Sequence, residues 1–203
     1  ANLLAMAVSK GRSVYYSGIF ARKDSGVESM SDIRGKRLAL GDINSTSSFN
    51  IPVAMMLREG IDPATDTAKV NMAGSHANVL SALSQGLVDV GGASFDSYEK
   101  ALNAGAIDGN DIKVVAKSAP LPYPPLAIQP EVSADIKAQL QDAFNNVHTM
   151  AGIKPEQIRG YGGKQVDRYT SDVSEETMAE VGDMLNAVNR DVKQSILAAG
   201  NKR

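Results

Sequence analysis

The chain has 203 residues, 43% of them hydrophobic and 22% charged, with a formal net charge of −2; that is enough for one large core or two small ones, and no basic excess points to nucleic acid. Nowhere does an apolar run reach about 18 residues, which excludes a spanning helix in this sequence. Cysteine is absent, which excludes disulfides and thiolate chemistry, and with no Trp, only 5% aromatics and eight Met the core is mostly aliphatic.

Ala1-Asn2-Leu3-Leu4 reads like the middle of a fold, so the numbering is expected to begin after a missing N-terminal part. Val14 to Ala21 is rich in β-formers and predicts a strand. Ser29 to Ile33 predicts one short helical turn ended by Gly35. Arg37-Leu38-Ala39-Leu40 is a second strand. It runs into Gly41-Asp42-Ile43-Asn44-Ser45-Thr46-Ser47-Ser48 and then an apolar helix pattern from Phe49 to about Glu59, with Gly60 as its stop.

That turn is the most informative part of the chain. The first N–H groups of a helix lack intrahelical partners and carry the positive end of its dipole. Adding four consecutive hydroxyls makes a site for an anion with several oxygens. A single hydroxyl would suffice for a cap. Pro52 breaks the pattern, because two turns into a helix capped by Ser45 it would remove a bond and bend the axis. Either the helix starts nearer Asn50 or it bends.

Lys69–Met72 is a strand, and Ser75 caps a helix carrying Val79, Leu80 and Leu83 that stops at Gly86. Leu87–Val90 reads as a buried strand, Gly91 to Asp96 as a turn in which Asp96 either caps the next helix or contacts a positive part of a ligand, and Phe95 to Asn103 as that helix. Ile112–Lys117 is a further strand. Strands alternating with helices imply an α/β fold with a mostly parallel sheet. Ligands of such sheets bind beyond the carboxyl ends of the strands. The Ser45–Ser48 and Gly74–His76 turns should therefore share one edge, with His76 able to donate to an anion oxygen.

Pro120 to Pro125 is too proline-rich for a helix or a central strand and predicts an extended connector. Leu126–Gln129 is a short strand. Ser133 caps a helix over 134–147 with Ile136, Leu140, Ala143, Phe144 and Val147 on one face. Gly152, Gly160, Gly162 and Gly163 mark loops. Ser174, Glu175 and Glu176 start a long helix whose apolar stripe runs from Met178 through Val181, Leu185, Val188 and Val192 to Ile196, ending near Gly200.

Signals for enzyme chemistry are thin. There is no His-Glu-x-x-His, no Gly-x-Ser-x-Gly and no Walker lysine motif, and the reading assigns no catalytic residue, metal or cofactor. Ser45, His76 and Asp96 could be drawn as a triad, since triads are spatial. His148, at a helix end, reads as a solvated residue beside the C-terminal carbonyls.

Several stretches in this order carry a family likeness: Tyr16-Ser17 leading to Arg22-Lys23-Asp24-Ser25, Ser31 to Lys36, Gly41 to Ser47, Ala73-Gly74-Ser75-His76, Val88-Asp89-Val90 and Lys117 to Pro122. With them the chain resembles the periplasmic phosphonate-binding proteins of ABC transporters, a family that includes phosphite and phosphate binders. Asp42-x-Asn44-Ser45-Thr46-Ser47 is the most specific piece. The resemblance implies a periplasmic-binding-protein type II lobe over 17–118, with 1–16 and 119–203 forming the rest of a second, discontinuous lobe and C-terminal helices. It implies that Ser45, Thr46 and Ser47 bind a phosphoryl group beside His76, with Asp96 where aminoalkyl-phosphonate binders place an acid. It further implies a receptor that closes on a small phosphorus oxyanion without chemistry and hands it to an inner-membrane permease, located in the periplasm or lipid-anchored facing outside. Two departures stand out: Ser48 replaces a common Gly, and Tyr123-Pro124-Pro125 lacks an acid found in some amine binders. An enzyme of the same fold and a ligand-sensing domain of a signalling protein are the alternatives.

Overall fold

The structure, a computed structural model, describes residues 2–172 and 175–201. In chain order the elements are strands β1 (Asn2–Val8), β2 (Val14–Tyr15), β3 (Ser17–Arg22) and β4 (Arg37–Leu40), then helices α1 (Ile51–Arg58) and α2 (Pro63–Asp66). Next come β5 (Lys69–Met72), α3 (His76–Ser84), β6 (Val90–Ser94), α4 (Phe95–Asn103), β7 (Ile112–Lys117), β8 (Leu121–Pro122) and β9 (Leu126–Ile128). The chain continues through α5 (Ala134–Asn146) and β10 (Arg168–Thr170) to α6 (Glu175–Ala187) and α7 (Arg190–Gly200). Ser174, expected to cap α6, lies outside the described residues.

Two compact units form, Ala1–Tyr15 with Pro120–Ala179 and Tyr16–Ala119 with Glu180–Arg203. The larger holds a five-stranded sheet in the order β5-β4-β6-β3-β7. Pairs β4–β5 and β4–β6 are parallel, while β3 runs antiparallel to both β6 and β7. Four of the five strands therefore point one way. On one face Phe20, Ala39 and Ala93 pack with Val79, Leu80 and Leu83 of α3, all buried. The Phe20 ring lies 4.6 Å from that of Tyr98 and 5.3 Å from that of Phe95, both on α4. Phe20, Val79, Leu80 and Leu83, each removed from water, contribute about 1.5–3 kcal/mol apiece.

The other face receives α1, and two glycines let it approach. A Cβ on Gly92 would lie 2.7 Å from the Pro52 ring, and one on Gly41 would lie 2.0 Å from Ser48 Oγ. Gly91 and Gly92 are thus strand residues and not part of a turn. The strand expected at Leu87–Val90 begins instead at Val90 and runs to Ser94. Leu87 is exposed, because the buried apolar set in this stretch is Val88 and Val90.

The C-terminal residues 180–203, read from sequence as part of the remainder outside 17–118, group with the larger unit. Helix α7 packs on β5 and α2, with Gly200 close to Met72 and Val70. The single long helix expected there is two. Asn189 interrupts it and accepts the Val192 N–H at 3.1 Å as the cap of α7.

In the smaller unit β1 pairs with β9 and β10, and β2 pairs with β8. Strands β1 and β10 carry no sequence prediction. The strand expected over Val14–Ala21 is broken at Tyr16 into β2 and β3. A core of Ala7, Ile158 and Val166 packs with Tyr169, whose ring lies 5.2 Å from that of Phe144 on α5. Ser133 caps α5 as expected, but Ile136 and Leu140 on its apolar face are exposed.

Candidate functional site

The strand directions put five chain segments at one edge of the larger sheet. These follow Leu40, Met72, Ser94 and Lys117 and precede Ser17. All belong to the larger unit, and this is the carboxyl edge where open α/β sheets bind ligands.

The segment after β4 is braced from within. Asp42 Oδ1 accepts the Asn44 N–H at 2.8 Å, and the Asp42 carbonyl accepts the Ser45 N–H at 2.8 Å. The buried Asn50 amide donates to the carbonyls of Ile43 and Ser45 at 3.3 and 2.9 Å. Thr46–Asn50 form one π turn, in which the Asn50 N–H reaches the Ser45 carbonyl at 3.0 Å, and α1 begins only at Ile51. Pro52 thereby falls in the first turn of the α-helix, where a missing N–H is tolerated. The two carbonyls that its N–H might have served are taken otherwise. Ser17 Oγ donates to the Ser47 carbonyl at 2.8 Å, and the Gly41 N–H to that of Ser48 at 2.9 Å.

What remains is a surface of donors. Ser48 is fully buried and turns inward, so it does not join the other three hydroxyls. Its N–H and Oγ–H both donate to Ser45 Oγ, at 3.2 and 2.7 Å. A hydroxyl has two lone pairs and one proton; with both lone pairs of Ser45 occupied, its proton is what it offers. Among the described residues no acceptor takes the N–H groups of Thr46 and Ser47, and their hydroxyls have no partner within the chain. Ser45 and Thr46 are half-buried and Ser47 is buried.

The segment after β5 supplies His76, first residue of α3. Ser75 caps that helix by accepting the Asn78 N–H at 3.2 Å. The Ser94 N–H donates to His76 Nδ1 at 3.0 Å, which ties the turn after β5 to the end of β6. With Nδ1 an acceptor, the neutral ring carries its proton on Nε2. Burial pushes the His76 pKa below its ordinary value, which holds the ring neutral.

Asp96 is half-buried in the first turn of α4. It is not the cap: Ser94 is, accepting the Ser97 N–H at 3.2 Å. The structure thus gathers Ser45, Thr46, Ser47, His76 and Asp96 on the segments following β4, β5 and β6 at the same edge.

Sequence reasoning missed one neighbour. Lys117 ends β7, and its Nζ lies 3.8 Å from the Tyr16 ring centroid and 5.2 Å from that of Phe95. The signal available was position: Lys117 is the last residue of a strand whose carboxyl end faces this edge. Two cavities lie elsewhere and include none of the five predicted residues. One of about 220 Å³, beside Arg22, Asp24 and Asp111, sits at the opposite sheet edge. Another of about 460 Å³ lies beside Ala54, Arg58 and Met184. Among the described residues no group of three or more His, Asp or Glu could hold a metal, and no helix is long and apolar enough to cross a membrane.

A mostly parallel five-stranded sheet flanked by helices, with neutral donors massed at its carboxyl edge, defines a binding unit of the type II periplasmic-binding-protein class. Solved structures share the fold. XAC2383 from Xanthomonas citri, bound to chloride ion, superposes with a TM-score of 0.75 at 22% identity, over 95% of this chain and 71% of that one. A binding protein component of an ABC phosphonate transporter from Pseudomonas aeruginosa gives 0.67 at 22% identity, over 97% and 69%. The phosphonates-binding periplasmic protein of Escherichia coli is 29% identical over 140 residues, which is 67% of this chain and 41% of that protein's length. The chain thus spans about two fifths of that curated relative. Residues 1–169 match the family of phosphonate periplasmic substrate-binding proteins of ABC transporters, and the chain belongs to that family.

Proposed function

We propose that this chain is the ligand-holding part of a periplasmic receptor that binds a phosphonate, or a related phosphorus oxyanion such as phosphite or phosphate, and delivers it to an ABC permease in the inner membrane. The phosphoryl oxygens take the hydroxyls and N–H groups of Ser45, Thr46 and Ser47 and the Nε2–H of His76. Asp96 stands at the side of the organic substituent, where it meets a positive part of the ligand.

One observation carries this reading. The acceptors of Ser45 and His76 are filled by the protein's own donors, so both groups present protons outward. An anion with several oxygens is the complement of such a surface. Neutral donors replace its hydration without a formal counter-charge, which suits a ligand that must later leave.

The same polarity argues against a hydrolytic triad. A Ser45–His76 pair needs an unprotonated Nε2 to take the serine proton, whereas the Ser94 N–H on Nδ1 puts a proton on Nε2. The test is calorimetric titration of the full chain with methylphosphonate, phosphite and phosphate. The wild type binds at least one and returns it unaltered. The double variant Ser45→Ala/Thr46→Ala keeps its folded circular-dichroism spectrum and loses binding; unchanged affinity in that variant rejects the site.

A further inference from the structure

Ser17 is not among the donors offered to the ligand, yet it holds the turn that offers them. It opens β3, is wholly buried, and its Oγ–H donates to the Ser47 carbonyl at 2.8 Å. Its own place is fixed by Ser118: the Ser17 N–H donates to Ser118 Oγ at 3.0 Å, and the Ser118 N–H to the Ser17 carbonyl at 2.9 Å. The Ser47–Ser48 peptide is therefore anchored at both ends, its carbonyl on Ser17 Oγ and its N–H on Ser45 Oγ at 3.2 Å. A peptide unit is planar, so two anchors set its orientation. That orientation aims the Ser47 side chain and keeps one lone pair of Ser45 occupied.

The bond has a specific reason to come from outside the helix. In a π turn the N–H of residue i reaches the carbonyl of residue i−5. Asn50 serves Ser45 and Ile51 serves Thr46 in this way. Residue 52 would serve Ser47 next, but it is Pro52, which has no N–H. Ser17 Oγ stands in for the missing donor. We infer that Ser17 is a positioning residue of the oxyanion site, acting through the Ser47–Ser48 peptide in place of the absent Pro52 N–H. This rests on the phosphonate reading above and deepens it. Without Ser17 Oγ the carbonyl of the buried Ser47 lacks a donor. The peptide turns to find one, the Ser48 N–H leaves Ser45 Oγ, and the Ser45 proton is no longer confined to the outward direction.

The experiment is a cycle of the full chain as wild type, Ser17→Ala, Pro52→Ala and Ser17→Ala/Pro52→Ala. It is read by calorimetry with methylphosphonate and, without ligand, by hydrogen exchange of the Ser48 amide. Ser17→Ala lowers affinity by about fivefold or more and speeds Ser48 exchange, as expected within one hydrogen-bond network. In the Pro52→Ala background both effects shrink to within about twofold, because residue 52 then has an N–H for the Ser47 carbonyl. If Ser17→Ala alone does not fold, the double variant still folds and binds as Pro52→Ala does. A purely structural Ser17 would lower the urea midpoint and leave the affinity of the folded chain unchanged. Unchanged affinity in Ser17→Ala overturns the inference, as does a loss of equal size in both backgrounds or a double variant that fails to fold while Pro52→Ala folds. If the wild type binds methylphosphonate and the cycle departs from this pattern, only this inference fails; if the wild type binds none of methylphosphonate, phosphite and phosphate, the phosphonate reading fails with it.

Discussion

The backbone N–H of Ser94 donates to Nδ1 of His76 across 3.0 Å. These residues lie 18 positions apart, one at the end of β6 and the other at the start of α3. Because β4 separates β5 from β6 in the sheet, this bond spans the strand that carries the Ser45 turn. One contact sets the tautomer of the ring, its orientation and the spacing of two of the three turns.

Nitrogen-15 NMR of His76 at pH 7 should accordingly show the neutral Nε2–H tautomer. The sign for stability follows from the same geometry. Burial lowers the folded-state pKa, so below about 6.5 the unfolded chain binds a proton that the folded chain does not. The contribution of His76 is fully present above that pH and is lost as pH falls toward the folded value. Urea midpoints of the ligand-free chain between pH 8 and 5 should drop on the acid side, and His76→Ala should flatten that part of the slope. The same variant should weaken methylphosphonate binding by about tenfold or more, as for a hydrogen bond to a charged group. A midpoint that rises on acidification in the wild type only would contradict the neutral assignment.

Ser45 and Thr46 are neighbours with separable roles. Ser45 Oγ accepts two bonds from Ser48 and caps the π turn. Ser45→Ala should cost about 1 kcal/mol of stability as well as affinity. The Thr46 hydroxyl has no partner within the chain among the described residues, so Thr46→Val should leave stability within about 0.5 kcal/mol while still weakening oxyanion binding. Chemical denaturation read beside calorimetry separates the two. Equal stability losses would place Thr46 in the internal network.

Much of this site was legible in the sequence because local rules govern it. Arg37–Leu40, Lys69–Met72 and Ile112–Lys117 announced themselves as β-rich apolar runs, and Ser75 and Ser133 as caps. The hydroxyl run marked the anion turn. Other features depend on partners far along the chain. Ser48 faces inward because Gly41 leaves it room. The π turn that accommodates Pro52 needs Ser17 Oγ, 30 residues upstream, to take the Ser47 carbonyl. Gly91 and Gly92 looked like a turn, yet pairing with Phe20 and Ile19 of β3 makes them strand, and their missing side chains leave room for Val79 and Pro52. Lys117 belongs to the edge through the rings of Tyr16 and Phe95, which no periodicity brings together.

The glycines that seat the anion turn should resist substitution for steric and not conformational reasons. A Cβ on Gly41 meets Ser48 Oγ at 2.0 Å, and one on Gly92 meets Pro52 at 2.7 Å and the Ser48 carbonyl oxygen at 3.2 Å. Gly41→Ala and Gly92→Ala should each cost about 1–3 kcal/mol, the usual range for overpacking, and displace the donors enough to weaken binding. Gly182 is the control. It lies within α6 with nothing within 4 Å of its Cβ position, so Gly182→Ala should stabilise by up to about 1 kcal/mol. Thermal or urea unfolding of the three variants checks the contrast, and a neutral Gly92→Ala would refute the tight seating of α1.

At the opposite end of the sheet, Asp89 ties the start of β4 to the strand beside it. Its carboxylate accepts the Arg37 backbone N–H at 2.9 Å, Nε at 3.0 Å and Nη2 at 2.6 Å. The Arg37 side-chain bonds are the main cause holding the Asp89 carboxyl below its ordinary pKa. A depressed carboxyl stabilises the fold fully above the unfolded value, about 3.9, and that contribution is lost as pH falls through the folded value. The guanidinium is about half exposed, 46% against 19% for the carboxylate, so screening limits the pair. Asp89→Asn keeps the shape and one acceptor for the Arg37 N–H but removes the charge, and should cost about 1 kcal/mol at pH 7. As pH falls below about 3.9 the gap between wild type and variant should narrow, because protonation of Asp89 takes away what the substitution takes away, and it closes only below the lowered folded-state value. Urea midpoints stepped from pH 7 down to pH 2 follow the gap, and a gap that does not shrink at all over that range would mean the pair acts through packing and not through charge.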